Sequence, residues 1–192
     1  MPFDARSALR AIKPEKRTAT LARRDDGDLA WAEDAPPIGT PLLLDTCVYL
    51  DVLRGRTADA VDVLLMHRLC HHSAVSLSEL THVLGRLDPR HAGTRAVLST
   101  IQETIDDIPA RRLHTPDANA WGTAGILAGL LARLTNAPKN AGHERRFLND
   151  ALILLQARSM GAAVLTANIG DFDFLTQIVP DVSVLFYRTT PA

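Results

Sequence analysis

Pro41-Leu42-Leu43-Leu44-Asp45-Thr46-Cys47-Val48-Tyr49-Leu50-Asp51 decides the fold, because a short apolar run stops abruptly on a carboxylate followed by a hydroxyl. Three leucines are too few for a helix and read as a central, doubly buried parallel strand. Asp45 then falls at the carboxyl edge of that strand, where open α/β sheets bind ligands.

Working outward, residues 46–54 read as a helix stopped by Gly55, residues 57–68 as a second amphipathic helix, and residues 70–75 as a strand. Ser76 followed three residues later by Glu79 has the form of a capping box. Glu79 therefore has two readings, a cap partner or a side chain facing the same sheet edge as Asp45. Helices are expected over 90–106 and 116–134, with a short strand at 112–114 between them. The second carries Gly122, Gly125 and Gly129, each costing about 1 kcal/mol relative to alanine, which points to close internal packing or a partner helix. After a polar loop at 136–143, a helix opening at Glu144 sets Asp150 within its first two turns, near the positive helix end. Residues 162–166 read as a strand, 167–174 as its loop and turn, and 182–186 as a last strand at an edge. Short apolar runs alternating with longer helical patterns are the signature of an α/β fold with a mostly parallel sheet.

The chain has 192 residues and a formal net charge of −1, so no global field announces nucleic acid and any such contact comes from local patches. Two cysteines do not make a disulfide scaffold and suit a reducing cytoplasm. The N-terminus lacks an apolar signal core, and the longest apolar stretch, 120–132, falls short of the ~20 residues a membrane span needs. Charge is segregated only at the start: residues 1–24 hold seven Lys or Arg against two acids, and residues 25–34 hold five acids and no base. Residues 1–40 thus read as a charged extension, a solvated and partly helical or frayed arm or else a contact for nucleic acid or a partner, and 41–192 as the main domain.

Asp45, Glu79, Asp150 and Asp171 all fall at strand ends or in early helix turns, and a parallel topology gathers such positions on one side of the sheet. Two like charges about 4 Å apart repel by roughly 4 kcal/mol at an effective dielectric near 20, so such a cluster shares protons or binds cations. Oxygen-only donors favour Mg²⁺ or Mn²⁺, which suits phosphodiester hydrolysis. His67, His71 and His72 lack the complementary spacing of a zinc site, and neither a Walker loop nor a dinucleotide glycine fingerprint is present.

Four segments carry a resemblance: Leu43-Leu44-Asp45-Thr46 through Arg54-Gly55; Ser76 to Leu80, centred on Glu79; Asn149-Asp150-Ala151-Leu152-Ile153; and Leu165-Thr166 through Asn168 to Asp171-Phe172. In this order and spacing they resemble the acidic motifs of PIN-domain nucleases, especially VapC-type toxins. The resemblance implies a three-layer α/β/α sandwich and a Mg²⁺-dependent endoribonuclease. It also implies a toxin–antitoxin or plasmid-stability setting, a cognate antitoxin and a homodimer. Carried over residue by residue, it makes Asp45, Glu79 and Asp150 the core acids and Asp171 the more variable fourth. Thr46, Thr166 and Asn168 become supporting polar residues that hold waters or phosphate.

Arg54 and Arg56 follow the first helix, and Lys139, His143, Arg145 and Arg146 precede Asp150, so both groups are candidates to hold RNA phosphates or an antitoxin's acidic tail. A rival reading is a non-catalytic binding or plasmid-maintenance protein acting through its N-terminal arm. Metal-dependent DNA cleavage is a third.

Overall fold

The fold is that of a computed structural model, which describes residues 3–138 and 142–191. Strands β1 (Leu42–Leu44), β2 (Cys70–Ser73), β3 (Leu113–His114), β4 (Ala163–Thr166) and β5 (Val184–Phe186) form one sheet in the order β3-β2-β1-β4-β5, and every pairing is parallel. β1 is central. Leu43 faces one core while Leu42 and Leu44 face the other, so the strand needs apolar side chains at every position.

Helices cover both faces, giving the expected α/β/α sandwich. α2 (Thr46–Leu53), α3 (Asp59–His67) and α5 (Thr94–Asp106) pack on the Leu42 and Leu44 side. α6 (Ala118–Leu134), α7 (His143–Met160) and α8 (Ile169–Ile178) pack on the Leu43 side. α4 (Ala74–Arg86) bridges the two cores, placing Val75 in one and Leu80 in the other. α7 lies against α6, α8, α4 and the sheet, which buries Ala151 through Leu154 completely on successive positions.

Three elements differ from the sequence reading. α4 begins at Ala74, because Ser73 turns extended backbone into helix and its hydroxyl accepts from the Val75 N–H at 3.1 Å. Ser76 is therefore not the cap. Its hydroxyl donates to the Leu44 carbonyl at 3.2 Å, and Glu79 stands in the second helical turn, clear of any capping box. Helix α8 spans Ile169–Ile178, although a loop and turn are expected over 167–174; Asn168 caps it and Phe172, Leu175 and Ile178 bury one face. Internal packing explains only one of the three α6 glycines: a Cβ on Gly122 would come within 2.5 Å of the Phe3 ring, whereas Gly125 and Gly129 face open space.

The N-terminal extension is partly helical, as α1 (Ala5–Ile12), but it is not frayed. Ile12 and Leu29 enter the core beside α6 and α8. The Arg24 guanidinium and backbone N–H both donate to the fully buried Asp173 carboxylate, at 2.6 and 2.9 Å. Residues 30 and 31 then run beside β5, where the Phe186 N–H donates to the Ala30 carbonyl at 2.9 Å and Trp31 bridges Phe186 in parallel. β5 is the edge strand of the sheet, as expected, and the arm covers part of that edge through this hydrogen bond and bridge.

Candidate active site

Each acid reaches the carboxyl edge of the sheet from a different element. Asp45 follows β1 and caps α2; its Oδ1 accepts from the Thr46 N–H at 2.7 Å. Its Oδ2 accepts from the Thr166 hydroxyl at 2.6 Å and the Cys47 thiol at 3.0 Å. Glu79, from α4, accepts from the Thr46 hydroxyl on Oε2 and from the Asn149 amide at 2.7 Å on Oε1. Asp150, from α7, accepts from the Asn168 amide at 3.1 Å. Asp171, in the first turn of α8, accepts from the same Asn168 amide at 3.2 Å and from Arg146 Nε at 2.7 Å.

The result is one continuous network from Glu79 through Thr46, Asp45, Thr166 and Asn168 to Asp150 and Asp171. Thr166 is its pivot: its hydroxyl donates to Asp45 and accepts from the Asn168 N–H at 2.9 Å. Burial pushes the Asp45 carboxyl above the ordinary carboxylate range, with Glu79 adding repulsion, against the donors that pull it down. Asp150 is raised further, by burial first and then by the charges of Asp45, Asp171 and Glu79. Against four acids, the network among the described residues includes one cation, Arg146. Such a site favours either protonation or a bound cation.

Two of its members, Cys47 and Asn149, have no role in the sequence reading. Asn149 carried a signal, standing beside Asp150 on the same helix. The Cys47 thiol touches Asp45, yet burial pushes its pKa up, so it is an uncharged donor and no nucleophile. The candidate basic residues separate. Arg146 meets Asp171, His143 lies at the start of α7 with its ring 3.4 Å from Arg146, and Arg145 is exposed nearby. Lys139 lies outside the described residues. Arg54 and Arg56 do not join the acids: they follow the far end of α2, about 12 Å along the axis from Asp45 at a rise of 1.5 Å per residue. Arg54 lines a groove with Leu50, Val83 and Val97, and Arg56 is held by Asp51 and Thr189. Asp51 itself accepts from the buried Tyr187 hydroxyl at 2.9 Å and has a structural place.

The PIN domain profile matches residues 42–173, well over half of the chain and all four acids. The chain belongs to the PIN domain family. PIN domains are nucleases, generally hydrolytic, and typically use a divalent metal. Among curated proteins, none matches this sequence. The fold is similar to that of FitAcB from Neisseria gonorrhoeae, with a TM-score of 0.52 and 22% identity over 75% of this chain and 96% of that one. It is similar as well to FitAB bound to the IR36 DNA fragment, at 0.52 and 20% over 76% and 94%. A third similar structure, VapBC2 from Rickettsia felis bound to a DNA fragment from their promoter, gives 0.50 and 18% over 77% and 98%. Each neighbour is matched almost whole, while about a quarter of this chain has no counterpart in it.

The residues of this PIN domain fit a hard divalent cation. Among the described residues no three His, Cys, Asp or Glu side chains converge closely enough to cage an ion. Mg²⁺ does not need a cage, since it is usually bound through one or two carboxylates and keeps several waters. No helix among the described residues is long and apolar enough to cross a membrane.

Proposed function

We propose that this PIN domain is a Mg²⁺- or Mn²⁺-dependent endoribonuclease and the toxin of a VapBC-like toxin–antitoxin pair. The observation that carries the reading is the joining of Asp45, Glu79, Asp150 and Asp171 in one hydrogen-bonded network in which, among the described residues, Arg146 alone opposes four carboxylates. Asp45 and Asp150, buried at the carboxyl edge of the sheet, would hold the cation, with Asp171 and Glu79 beside them. A bound divalent ion supplies the positive charge that activates water and stabilises charge on phosphate oxygens. Thr46 and Asn149 fix the rotamer of Glu79, Thr166 fixes that of Asp45, and Asn168 spaces Asp150 from Asp171. Arg146, half exposed, offers a planar fork to an RNA phosphate at the rim, with His143 and Arg145 beside it.

The structural neighbours include VapBC and FitAB complexes, which supports an antitoxin partner here; a homodimer rests on the family resemblance. The extension gives little support to an adaptor acting through a free arm, because its core-facing side chains are spent in the fold.

Incubating the full-length protein with RNA and DNA panels in Mg²⁺, Mn²⁺ or EDTA tests the reading, with folded Asp150→Asn as control. RNA cleavage that needs both metal and Asp150 is expected. DNA cleavage alone, or RNA cleavage indifferent to EDTA and to Asp150→Asn, would overturn it.

A further inference from the structure

The helix that delivers Glu79 carries basic side chains beyond it. Glu79, His82 and Arg86 stand three and four residues apart, which sets them on one face of α4, and His82 and Arg86 are exposed. Arg86 lies about 10 Å beyond Glu79 along the helix axis. The chain then turns back through residues 87–93, where Arg90 is exposed, and Arg95 follows in the first turn of α5, which packs against α4. Residues 80–102 thus hold three arginines against one acid, Asp88, in a chain whose net charge is −1.

Arginines that serve this fold have partners. Arg24, Arg56, Arg158 and Arg188 meet carboxylates, and Arg17 and Arg133 donate to backbone carbonyls. Arg86, Arg90 and Arg95 differ: among the described residues their guanidiniums meet neither a carboxylate nor a backbone carbonyl. Asp88 serves the turn, its Oδ1 accepting from the Arg90 backbone N–H at 2.9 Å. Arg54 adds a fourth cation across the groove that Val83 of α4 and Val97 of α5 line. Like charges gathered this way repel one another, and a bound polyanion relieves them.

The cluster also has a direction. It starts at Glu79, among the acids where the scissile phosphate has to lie, and runs outward along one helix face. A stacked strand carries a phosphate about every 3.4 Å, so the 10 Å from Glu79 to Arg86 spans about three phosphates. Guanidinium forks match phosphate oxygens. The strand being cut is the polyanion that reaches both ends of this path. We propose that His82, Arg86, Arg90 and Arg95 form a phosphate track that holds the RNA strand on one side of the scissile bond. This rests on RNA being the substrate.

The combined variant Arg86→Gln, Arg90→Gln, Arg95→Gln tests the track, since exposed side chains can be neutralised with the melting temperature kept. Its effect is read in folded, full-length Asp150→Asn, which should leave the strand uncut, by the fluorescence anisotropy of a labelled single-stranded RNA of mixed sequence as salt is raised. Loss of three phosphate contacts should reduce the slope of log K against log salt by about 2 and weaken binding about tenfold or more. With Asp150 restored, the three substitutions should raise KM, while kcat and Mn²⁺ binding hold. An unchanged salt slope and KM, in a protein whose wild type cleaves RNA, would overturn the track and leave the nuclease standing. RNA binding that loses this slope in the variant, by a protein that cleaves nothing in any metal, would retain the track and remove the nuclease. Binding of a polyglutamate peptide but of no RNA would make the patch a protein contact and overturn the inference.

Discussion

Asp150 is 5% exposed and feels three other carboxylates, so its ionisation is the site's main internal cost. Its folded pKa is raised above the unfolded value. The stability contributed by its neutral form is present at pH below about 4 and is lost as pH rises through the raised folded value. Metal-free protein should therefore lose melting temperature over that rise, Asp150→Asn should flatten the loss, and Mn²⁺ should reverse it in the wild type. A metal-free melting temperature independent of pH would show that the acids do not strain one another. At the same scale, Asn168→Ala removes both the cap of α8 and the amide shared by Asp150 and Asp171. It should cost about 0.5–2 kcal/mol in denaturant unfolding and also reduce cleavage, a pair of effects a cap alone would not produce. That Asp45 and Asp171 share one edge was legible, because one follows a strand and the other opens a helix, positions that parallel topology gathers; Glu79 and Asp150 stand deeper, in the second and third turns of α4 and α7, and reach the same edge through helix packing. Cys47 and Asn149 were not legible, since a neutral donor leaves no pattern until its acceptor is placed. Arg54 and Arg56 stand apart from the acids because nearness in sequence to Asp45 becomes distance along a helix axis.

Among elements, α8 shows how one buried carboxylate anchors a distant segment. Asp173 is fully buried and accepts from Arg24 and from the Gln177 amide at 3.0 Å, so it depends on the extension for its countercharge. Arg24→Ala should destabilise the protein by about 1–3 kcal/mol in urea unfolding, because it removes the charged donor of the buried Asp173 while the Arg24 side chain itself is 38% exposed and partly screened. A loss below about 1 kcal/mol would mean that solvent reaches Asp173. Residues 167–174 read as a turn because Asn168, Gly170, Asp171 and Asp173 are spread through them, while the apolar spacing of Phe172, Leu175 and Ile178 is visible only over the longer window. α4 was displaced by a similar competition: two serines can cap, and the extended backbone of Ser73 decides in favour of the earlier one.

For the whole molecule, the alternation of short strands and helices made the layers and the parallel sheet readable, whereas the extension was not, since charge blocks resemble mobile tails until their partners are known. Its arginines reach carbonyls and carboxylates up to 161 residues away in sequence, Arg17 to the Ile178 carbonyl being the longest. Deleting residues 1–35 should lower the melting temperature by 10 °C or more, on the order of 3 kcal/mol, and promote association through the uncovered β5 edge. An unchanged melting temperature and monomer fraction would show that the arm is dispensable. The network around Thr166 and Asn168 is expected to hold a divalent cation, which Mn²⁺ binding to full-length protein, followed by electron paramagnetic resonance, can decide. The wild type should bind Mn²⁺ saturably, and folded Asp45→Asn and Asp150→Asn should not. Equal binding by all three, or none by the folded wild type, would contradict it.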